Sequence, residues 1–214
     1  MNSNLPSILH QVERRGSVAR CVTLSLMIVA GFCAFAVIAA KARAGDEAPA
    51  WLRAVASTAT AAYSKNVPAV VLLAEREVRV EDDGKVTTTE RRAVKVLSNE
   101  GRGEASAGVS YLTDVGKVRD MRAWIIRPSG AVKKFGKDDA LDLAGAPNDV
   151  FNEVRFRMIS ARDEAEVGAI FGCEWTTEDR SVFTQFDWQF QERLPALVSR
   201  CTVSLPKPEN RPKA

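Results

Sequence analysis

The side chains able to carry out acid–base, nucleophilic or metal chemistry are few in this chain. His10 is the only histidine, and it lies near the amino terminus. Histidine is the general base or the ligand in the common Ser-His-Asp, Cys-His and zinc sites. Neither Cys173 nor Cys201 therefore has an imidazole in the body of the chain that would activate it as a nucleophile. We expect no catalytic residue, no metal ligand and no bound cofactor.

Carboxylates are the remaining source of chemistry. One acidic cluster contains Asp163, Glu164 and Glu166, but it lacks the interleaved Gly and Asn residues of a dedicated calcium loop. We interpret this cluster as a solvated turn. A carboxylate-dependent hydrolase needs one acid and one base across a substrate. The candidates for that pair are Asp149, Glu153 and Asp187, and no spacing among them supports the pair.

Tryptophans and lysines offer binding rather than catalysis. Trp124, Trp175 and Trp188 are candidates for lining a carbohydrate or peptide groove. Trp188 belongs to an alternating apolar row and is expected in the core, whereas Trp175 ends a strand and is predicted to be the exposed binding aromatic. A small basic patch is interpreted as a soluble strand edge that discourages pairing. It consists of Lys133, Lys134 and Lys137.

The distribution of charge separates a basic leader from a near-neutral body. The chain has 30 basic and 27 acidic residues, with a net charge of +3. Residues 1–44 contain five basic residues and one acidic residue, so the rest of the chain is almost neutral. A protein that neutralises phosphates needs a basic surface. We expect no nucleic-acid binding.

The leader has the organisation of an export signal. Residues 21–40 (CVTLSLMIVAGFCAFAVIAA) carry no charge, follow a basic start and precede Ala42-Arg43-Ala44, a small-x-small cleavage pattern. An apolar stretch of this length is also able to span a bilayer as a helix. A cleaved signal peptide and an uncleaved inner-membrane anchor both remain open. Either way we expect the body to be exported, periplasmic or secreted, with membrane contact only through residues 21–40 if they are retained.

The sequence after the leader is typical of a strand-rich domain. We predict a signal or anchor at 1–44, a linker with a short amphipathic helix at 45–68 (the helix over 51–64), a β-sandwich at 69–206 and a tail at 207–214. About eight or nine short strands alternate with turn signals, which is typical of an all-β antiparallel sandwich. The clearest turns are 82–84 (DDG) and 128–130 (PSG). Residues 137–149 are predicted to be a polar loop.

Three alternating segments in the second half predict strands and buried faces. Residues 154–158 place Val154, Phe156 and Met158 on one side of a strand and Arg155 and Arg157 on the other. Residues 182–191 show the cleanest alternation in the chain and are predicted to form a strand. Residues 196–205 follow with another apolar row. Its members are Leu197, Cys201, Val203 and Leu205.

Cys173 and Cys201 are the two cysteines left after the leader. Both fall on the apolar side of their predicted strands. In an oxidising compartment such a pair forms a disulfide bond if the strands bring the two thiols together. The other interpretation is that they are independent buried thiols that act as small hydrophobic side chains. The sequence leaves both open.

The ordered set of segments over residues 70–206 resembles the bacterial family known as domain of unknown function 3857. The matching segments are Asp83-Gly84, 123–130 (AWIIRPSG), 151–155 (FNEVR), 167–171 (VGAIF) and 190–195 (FQERLP). Ser129 departs from the family's turn aspartate and Phe151 from its tyrosine. Residues 171–173 (FGC) also stand where the family often has an acidic-aromatic pair.

In that family the domain usually precedes a transglutaminase-like, papain-fold domain in exported proteins. The resemblance therefore implies a non-catalytic accessory module that binds a protein or peptide, with a transglutaminase-like protein or an envelope peptide as its partner. Three alternatives remain. They are a membrane-anchored envelope scaffold, a carboxylate-dependent hydrolase, and a truncated part of a transglutaminase-like enzyme.

Overall fold

The structure is a computed structural model that describes residues 47–145, 153–180 and 185–206. These ranges contain one α-helix, α1 (Ala50–Ala56), and two 3-10 helices, Asn99–Glu104 and Lys137–Asp139. They also contain nine strands. In chain order the strands are β1 (Ala69–Val80), β2 (Val86–Val96), β3 (Ser106–Leu112), β4 (Gly116–Ile126), β5 (Val132–Phe135), β6 (Leu141–Ala144), β7 (Val154–Ser160), β8 (Ile170–Asp179) and β9 (Ser199–Ser204).

The strands form a large and a small sheet. The large sheet has the order β5-β4-β8-β2-β1-β9, and the small sheet has the order β3-β7-β6. All neighbours are antiparallel except β9, which lies parallel to β1 at the edge of the large sheet. The predicted all-β sandwich of eight or nine strands with a short helix is confirmed. The single parallel pair is an addition that the alternation pattern did not predict.

The two predicted glycine turns close the hairpins of the large sheet. Gly84 has φ +80° between β1 and β2, and Gly130 has φ +82° between β4 and β5. This left-handed region is open to glycine without a steric penalty. At the second turn, the Gly130 N–H donates to the Arg127 carbonyl at 2.8 Å. The turn signals therefore placed these strand ends correctly.

The cores lie on both faces of the large sheet. On one face the small sheet packs through Ile159 and Ala107 against Phe171 and Ile125, which are fully buried. On the other face α1 inserts its fully buried Leu52. Burial of such apolar side chains contributes roughly 1.5–3 kcal/mol each. The large sheet is thus covered on two sides where its long strands meet.

The helix is shorter than the sequence predicts. It ends at Ala56 rather than continuing to residue 64, and the Ser57 hydroxyl donates to the Ala54 carbonyl at 2.7 Å. Serine and threonine side chains compete for backbone groups in this way and favour helix ends. The alanines at 59 and 62 have little area to bury. The continuation of the helix is therefore wrong.

The predicted loop at 137–149 contains a strand, β6, which pairs with β7. The side of β7 that carries Phe156 and Met158 faces away from the core. Ile159 is buried, whereas Phe156 is 38% exposed. Pairing with β3 places Ala107 opposite Ile159, and this register fixes which side of β7 faces the large sheet.

The segment 182–191 was predicted to be a strand, but residues 185–191 belong to no strand; residues 181–184 lie outside the described ranges. β2 and β1 separate β8 from β9 in the large sheet, so the connection crosses the sheet instead of joining an edge. Trp188 is half-buried against the core, but Phe190 is 63% exposed. The apolar row on 196–205 is also largely exposed, including Val203 and Leu205.

The predicted signal or anchor at 1–44 and the predicted tail at 207–214 lie outside the described residues. In the ranges that the structure does cover, no helix combines the length and the apolar character needed to cross a bilayer. Cleavage and anchoring both stay predictions.

Candidate functional site

The small sheet exposes an apolar surface on the side that faces away from the large sheet. Directly opposed residues in neighbouring strands share one face of a sheet, and Leu143 pairs with Phe156 while Leu112 pairs with Val154. The pairing of Leu141 with Met158 extends the same surface. We call this surface the outer face. Its members are Leu112, Leu141, Leu143, Val154, Phe156 and Met158.

The outer face is exposed to an unusual degree for its composition. Leu141 is 59% exposed, Leu143 49% and Leu112 43%. The Phe156 ring lies over Gly108, where an added Cβ would come within 2.9 Å of the ring. The missing side chain of Gly108 thus leaves room for the tip of the Phe156 ring. Contiguous exposed apolar groups of this kind mark interaction sites.

The inner side of the small sheet carries a charge cluster around Asp142. Arg157 donates to this carboxylate at 2.6 Å, Arg155 at 3.1 Å, and the Tyr111 hydroxyl at 2.9 Å. Burial raises the pKa of Asp142, but the hydrogen bonds from Arg157, Tyr111 and Arg155 outweigh it and leave the pKa below its ordinary value. The carboxylate is therefore ionised and fully engaged in holding β6, β7 and β3 together.

A cleft of about 420 Å³ opens between β3 and the large sheet. One wall is β3 itself, from Gly108 to Leu112, and the floor is formed by side chains of β2 and β8. The opposite wall includes Phe186 from the connection to β9. A concave space with a few polar groups is the usual form of a ligand site. We call this space the inter-sheet cleft.

The polar groups of the inter-sheet cleft centre on Arg76 and Glu90. Their charged groups lie 3.0 Å apart, and Arg76 also donates to the Asp187 carbonyl at 2.8 Å. The guanidinium lies 5.1 Å from the centre of the Trp188 ring, within the range of a cation–π contact. Burial raises the pKa of Glu90, and Arg76 opposes that rise only in part.

Trp175 was predicted to be an exposed binding aromatic, and this prediction is wrong. Its side chain is 8% exposed and belongs to the core between the sheets. The reason is that β8 is a central strand, so even its late residues have neighbours on both sides. Trp175 nevertheless lines the inter-sheet cleft, and its Nε1 donor is buried with no hydrogen-bond partner among the described residues. Buried indole N–H groups usually have one.

A disulfide between Cys173 and Cys201, one of the two possibilities that the sequence leaves open, does not form in this fold. Both thiols are free, on β8 and β9, and two whole strands separate those strands. Neighbouring strands are about 4.8 Å apart, so the two backbones are too far apart for a bridge. The two thiols are therefore independent, but only Cys173 is buried, which raises its pKa to about 12, while Cys201 is partly exposed.

The acidic cluster does not form a cation site. Glu164 accepts from Lys133 at 2.6 Å and from Arg127 at 2.5 Å, so its charge is already neutralised. The hydrogen bond from Lys133, followed by the charge of the same lysine, lowers the pKa of Glu164. Within the described residues no group of three or more His, Cys, Asp or Glu side chains could hold a metal ion.

Of the three carboxylates considered for hydrolysis, the two that the structure describes, Glu153 and Asp187, have different hydrogen-bond partners. Glu153 accepts a hydrogen bond from the Thr113 hydroxyl beside the small sheet. Asp187 lies in the connection near Arg76, and Asp149 lies outside the described residues. Trp124 is buried against Trp51 with the rings 6.4 Å apart, so it lines no groove. The sequence did not predict the outer face or the β3 wall of the cleft. Residues 141–144, which form β6, were predicted to belong to a loop, and the alternation in β7 did not indicate which of its sides is buried.

Residues 82–212 match the family described as a domain of unknown function with a solved structure, DUF3857. The chain belongs to this family. The DUF3857 match includes the small sheet, both walls of the inter-sheet cleft and all of the large sheet except β1. No curated protein matches the sequence.

Among solved structures, the fold is similar to a crystal structure from Parabacteroides distasonis whose protein is described as a candidate protease. The two chains are 12% identical, with a TM-score of 0.57. The similarity covers 65% of this chain and 29% of the length of that protein. At this identity the likeness supports the DUF3857 fold and nothing about activity.

Proposed function

We propose that this DUF3857 chain is an exported, non-catalytic module that docks onto a protein partner through the outer face. The observation that carries the proposal is the exposed apolar surface formed by Leu112, Leu141, Leu143 and Phe156 on three paired strands. The charged side of this sheet faces inward and its apolar side faces solvent. Burial of that apolar side against a partner would be favourable through the hydrophobic effect.

We assign the partner to the transglutaminase-like, papain-fold class. Two facts favour a large partner domain. The family resemblance connects this module with such domains, and the similar solved chain is more than three times as long as the region that matches. Protein interfaces carry an apolar centre with a polar rim. The outer face supplies the centre, and the serines Ser106, Ser110 and Ser160 border it on β3 and β7.

The lack of catalysis is part of the same proposal. The sequence contains one histidine, His10, and Cys173 is buried with a pKa raised to about 12. A thiol of that pKa is not a nucleophile at neutral pH. Screens with hydrolase and transferase substrates are expected to give no turnover, and robust turnover by the purified chain would contradict this part.

Docking is tested with a double substitution in the outer face, Leu141→Ser with Leu143→Ser. The exported chain and a purified transglutaminase-like domain from the same genome are mixed and studied by calorimetry. Both leucines are exposed before docking, so the variant is expected to fold normally and to bind at least tenfold more weakly. The matched control is Leu205→Ser, which removes an equally exposed leucine from outside the outer face.

Two results would overturn the docking proposal. One is unchanged affinity in the double variant together with weakened affinity in the Leu205→Ser control. The other is the absence of binding between the unmodified chain and every transglutaminase-like domain of that genome, or a genome that encodes none.

The membrane-anchored scaffold remains a second candidate because residues 21–40 carry no charge over a length that spans a bilayer. Amino-terminal sequencing of the exported protein separates the two. A mature start at Gly45 is expected for the proposed module, whereas an intact start recovered with the membrane fraction favours the anchor.

A further inference from the structure

The β3 edge that faces the inter-sheet cleft has unused backbone groups. The Thr113 N–H donates to the Glu153 carbonyl at 3.0 Å, and the Ala161 N–H donates to the Ala105 carbonyl at 2.8 Å. In an antiparallel pair the hydrogen-bonded positions alternate, so the odd-numbered residues of β3 bond to β7. Gly108 and Ser110 therefore direct their N–H and C=O groups to the other side of the strand.

That other side is open along the cleft. β3 is the edge strand of the small sheet, and in the described part of the chain the backbone groups of Gly108 and Ser110 have no backbone partner. Edge strands with free groups are templates for pairing with another chain. β3 has neither a proline nor a lysine that would block such pairing.

A second observation in the same cleft indicates a ligand. Trp175 lines the cleft and is more than nine-tenths buried, and its Nε1 donor has no hydrogen-bond partner among the described residues. Leaving a buried donor unsatisfied costs about 1–3 kcal/mol. Such a donor is satisfied when a bound molecule brings an acceptor atom.

The dimensions fit an extended peptide. β3 has seven residues and is about 23 Å long at the usual rise per residue. The cleft volume of about 420 Å³ lies within the range of ligand sites. Side chains of an added strand that point the same way as Val109 and Tyr111 would face the large sheet, because those two residues pack on the core.

We propose that the inter-sheet cleft binds an extended peptide that adds as a strand to the free edge of β3. The peptide presents an uncharged acceptor side chain, Asn, Gln, Ser or Thr, to Trp175 Nε1. Lysine and arginine are unsuitable because they have no acceptor atom. A carboxylate is disfavoured because Glu90, Glu178 and Asp179 outnumber Arg76 among the charged residues that line the cleft. This recognition mode obtains affinity from the main chain and selectivity from alternate side chains.

The probe is a library of blocked octapeptides in which alternate positions are Thr and the others are randomised. Binding is followed by amide hydrogen exchange in the full chain. The Gly108 and Ser110 amides are expected to become protected when a peptide binds. Failure of every peptide to bind at millimolar concentration would overturn the proposal, as would binding that leaves these two amides unprotected.

Backbone pairing is tested on the peptide, so that the protein stays unchanged. N-methylation of every second residue of the selected peptide removes half of its donors. Two such peptides exist, with the methylated positions shifted by one residue. One of them is expected to bind at least tenfold more weakly than the unmethylated peptide, and the other is expected to bind with unchanged affinity. Equal effects of the two sets would contradict strand addition.

The side-chain contact is tested by exchanging one Thr of the selected peptide for its isostere Val. In the unmodified chain the Thr peptide is expected to bind about five- to a hundredfold more tightly at one position. In Trp175→Phe, which keeps an aromatic ring but has no Nε1 donor, this preference should vanish. A preference that persists in Trp175→Phe would contradict the assigned donor.

The peptide site and the docking surface can fail independently. The Leu141→Ser and Leu143→Ser double variant changes only the outer face, so it is expected to keep peptide binding. Trp175→Phe is expected to keep the affinity for the transglutaminase-like domain. If each variant instead lost both activities, the separate peptide site would be refuted.

Discussion

The large sheet buries its apolar side chains, whereas the small sheet leaves many of its own exposed. The large sheet is covered on both faces, by the small sheet on one side and by α1 on the other, and Phe171 and Leu52 are fully buried. The small sheet buries only part of its inner side and places the Asp142 charge cluster there. Its outer face is left apolar and exposed. The large sheet thus contains most of the buried core, and the small sheet carries the surfaces that we propose for binding.

Two groups of ion pairs on the large sheet also differ in their surroundings. Across the face of the large sheet, Glu75 is 7% exposed and accepts from Arg91 and Arg200, so its charge is closed within the fold. In the inter-sheet cleft the Arg76–Glu90 pair borders open space. The buried Glu75 carboxylate thus links β1 to β2 and β9, whereas the Arg76–Glu90 pair borders a cleft and is also accessible to a ligand.

The largest effect is expected for Phe171→Ala in the core between the sheets. Phe171 is fully buried, so the substitution removes its contacts and leaves a cavity, with a cost of about 3–5 kcal/mol in the free energy of unfolding. Urea denaturation measures this cost. The control Phe190→Ala removes a ring that is mostly exposed and is expected to change stability by less than about 0.5 kcal/mol. Similar losses in both variants would contradict the contrast between covered and uncovered regions.

A smaller effect is expected for Gly101→Ala in the 3-10 helix that joins the large sheet to the small one. An added Cβ would lie 2.7 Å from the Pro68 carbonyl carbon and closer still to its oxygen. That oxygen accepts from Leu97 and Ser98, so it is not free to move away. We expect a loss of about 1–3 kcal/mol in the free energy of unfolding.

Gly103→Ala is the matched control in the same helix, because a Cβ there would have no neighbour within 4 Å. Its effect on thermal unfolding is expected to be neutral or slightly stabilising, since alanine reduces the entropy of the unfolded chain. A Gly103→Ala variant as damaged as Gly101→Ala would show that this connection is sensitive for another reason.

The smallest effect, and one that depends on pH, is expected for Asp142→Asn in the small sheet. The variant deprives Arg157 and Arg155 of their anionic partner, and we expect a loss of about 1–2 kcal/mol at neutral pH. The lowered pKa of Asp142 means that its contribution is present above its ordinary value of 3.8 and is lost as the pH falls through the folded-state pKa.

The stabilities of the unmodified chain and Asp142→Asn should therefore converge in acid, as urea denaturation from pH 7 to pH 2.5 would show. Asp138→Asn, at an exposed position, is expected to leave the curve unchanged. A gap between Asp142→Asn and the unmodified chain that stays constant down to the lowest pH would contradict the role of the carboxylate.

Much of the large sheet was predictable because its strands are long and its turns carry strong local signals. Gly84 and Gly130 are left-handed positions in the two turns that the sequence indicated. The sequence also placed Cys173 on the apolar side of its strand, and Cys173 is buried in β8. These features depend on contacts between residues that are close in sequence.

The candidate sites were predictable only in part. β6 has four residues, which are too few to show a clear alternation. Because one of them is Asp142, the segment was predicted to belong to a polar loop. The strong alternation of residues 182–191 predicted a strand where the chain crosses a sheet face. The predicted exposure of Trp175 was wrong, although the residue lines a cleft, and its role in binding stays a prediction.

The amino-acid sequence by itself determined the strand-rich class, the hairpin turns and the family, because periodicity and turn chemistry are local. Only the tertiary structure decided which side of β7 is covered, that β8 and β9 are not neighbours, and that β3 keeps a free edge. A period of two shows which residues share a side of a strand. Which side is buried depends on the strand that pairs with it and the sheet that packs on it, and both come from distant parts of the chain.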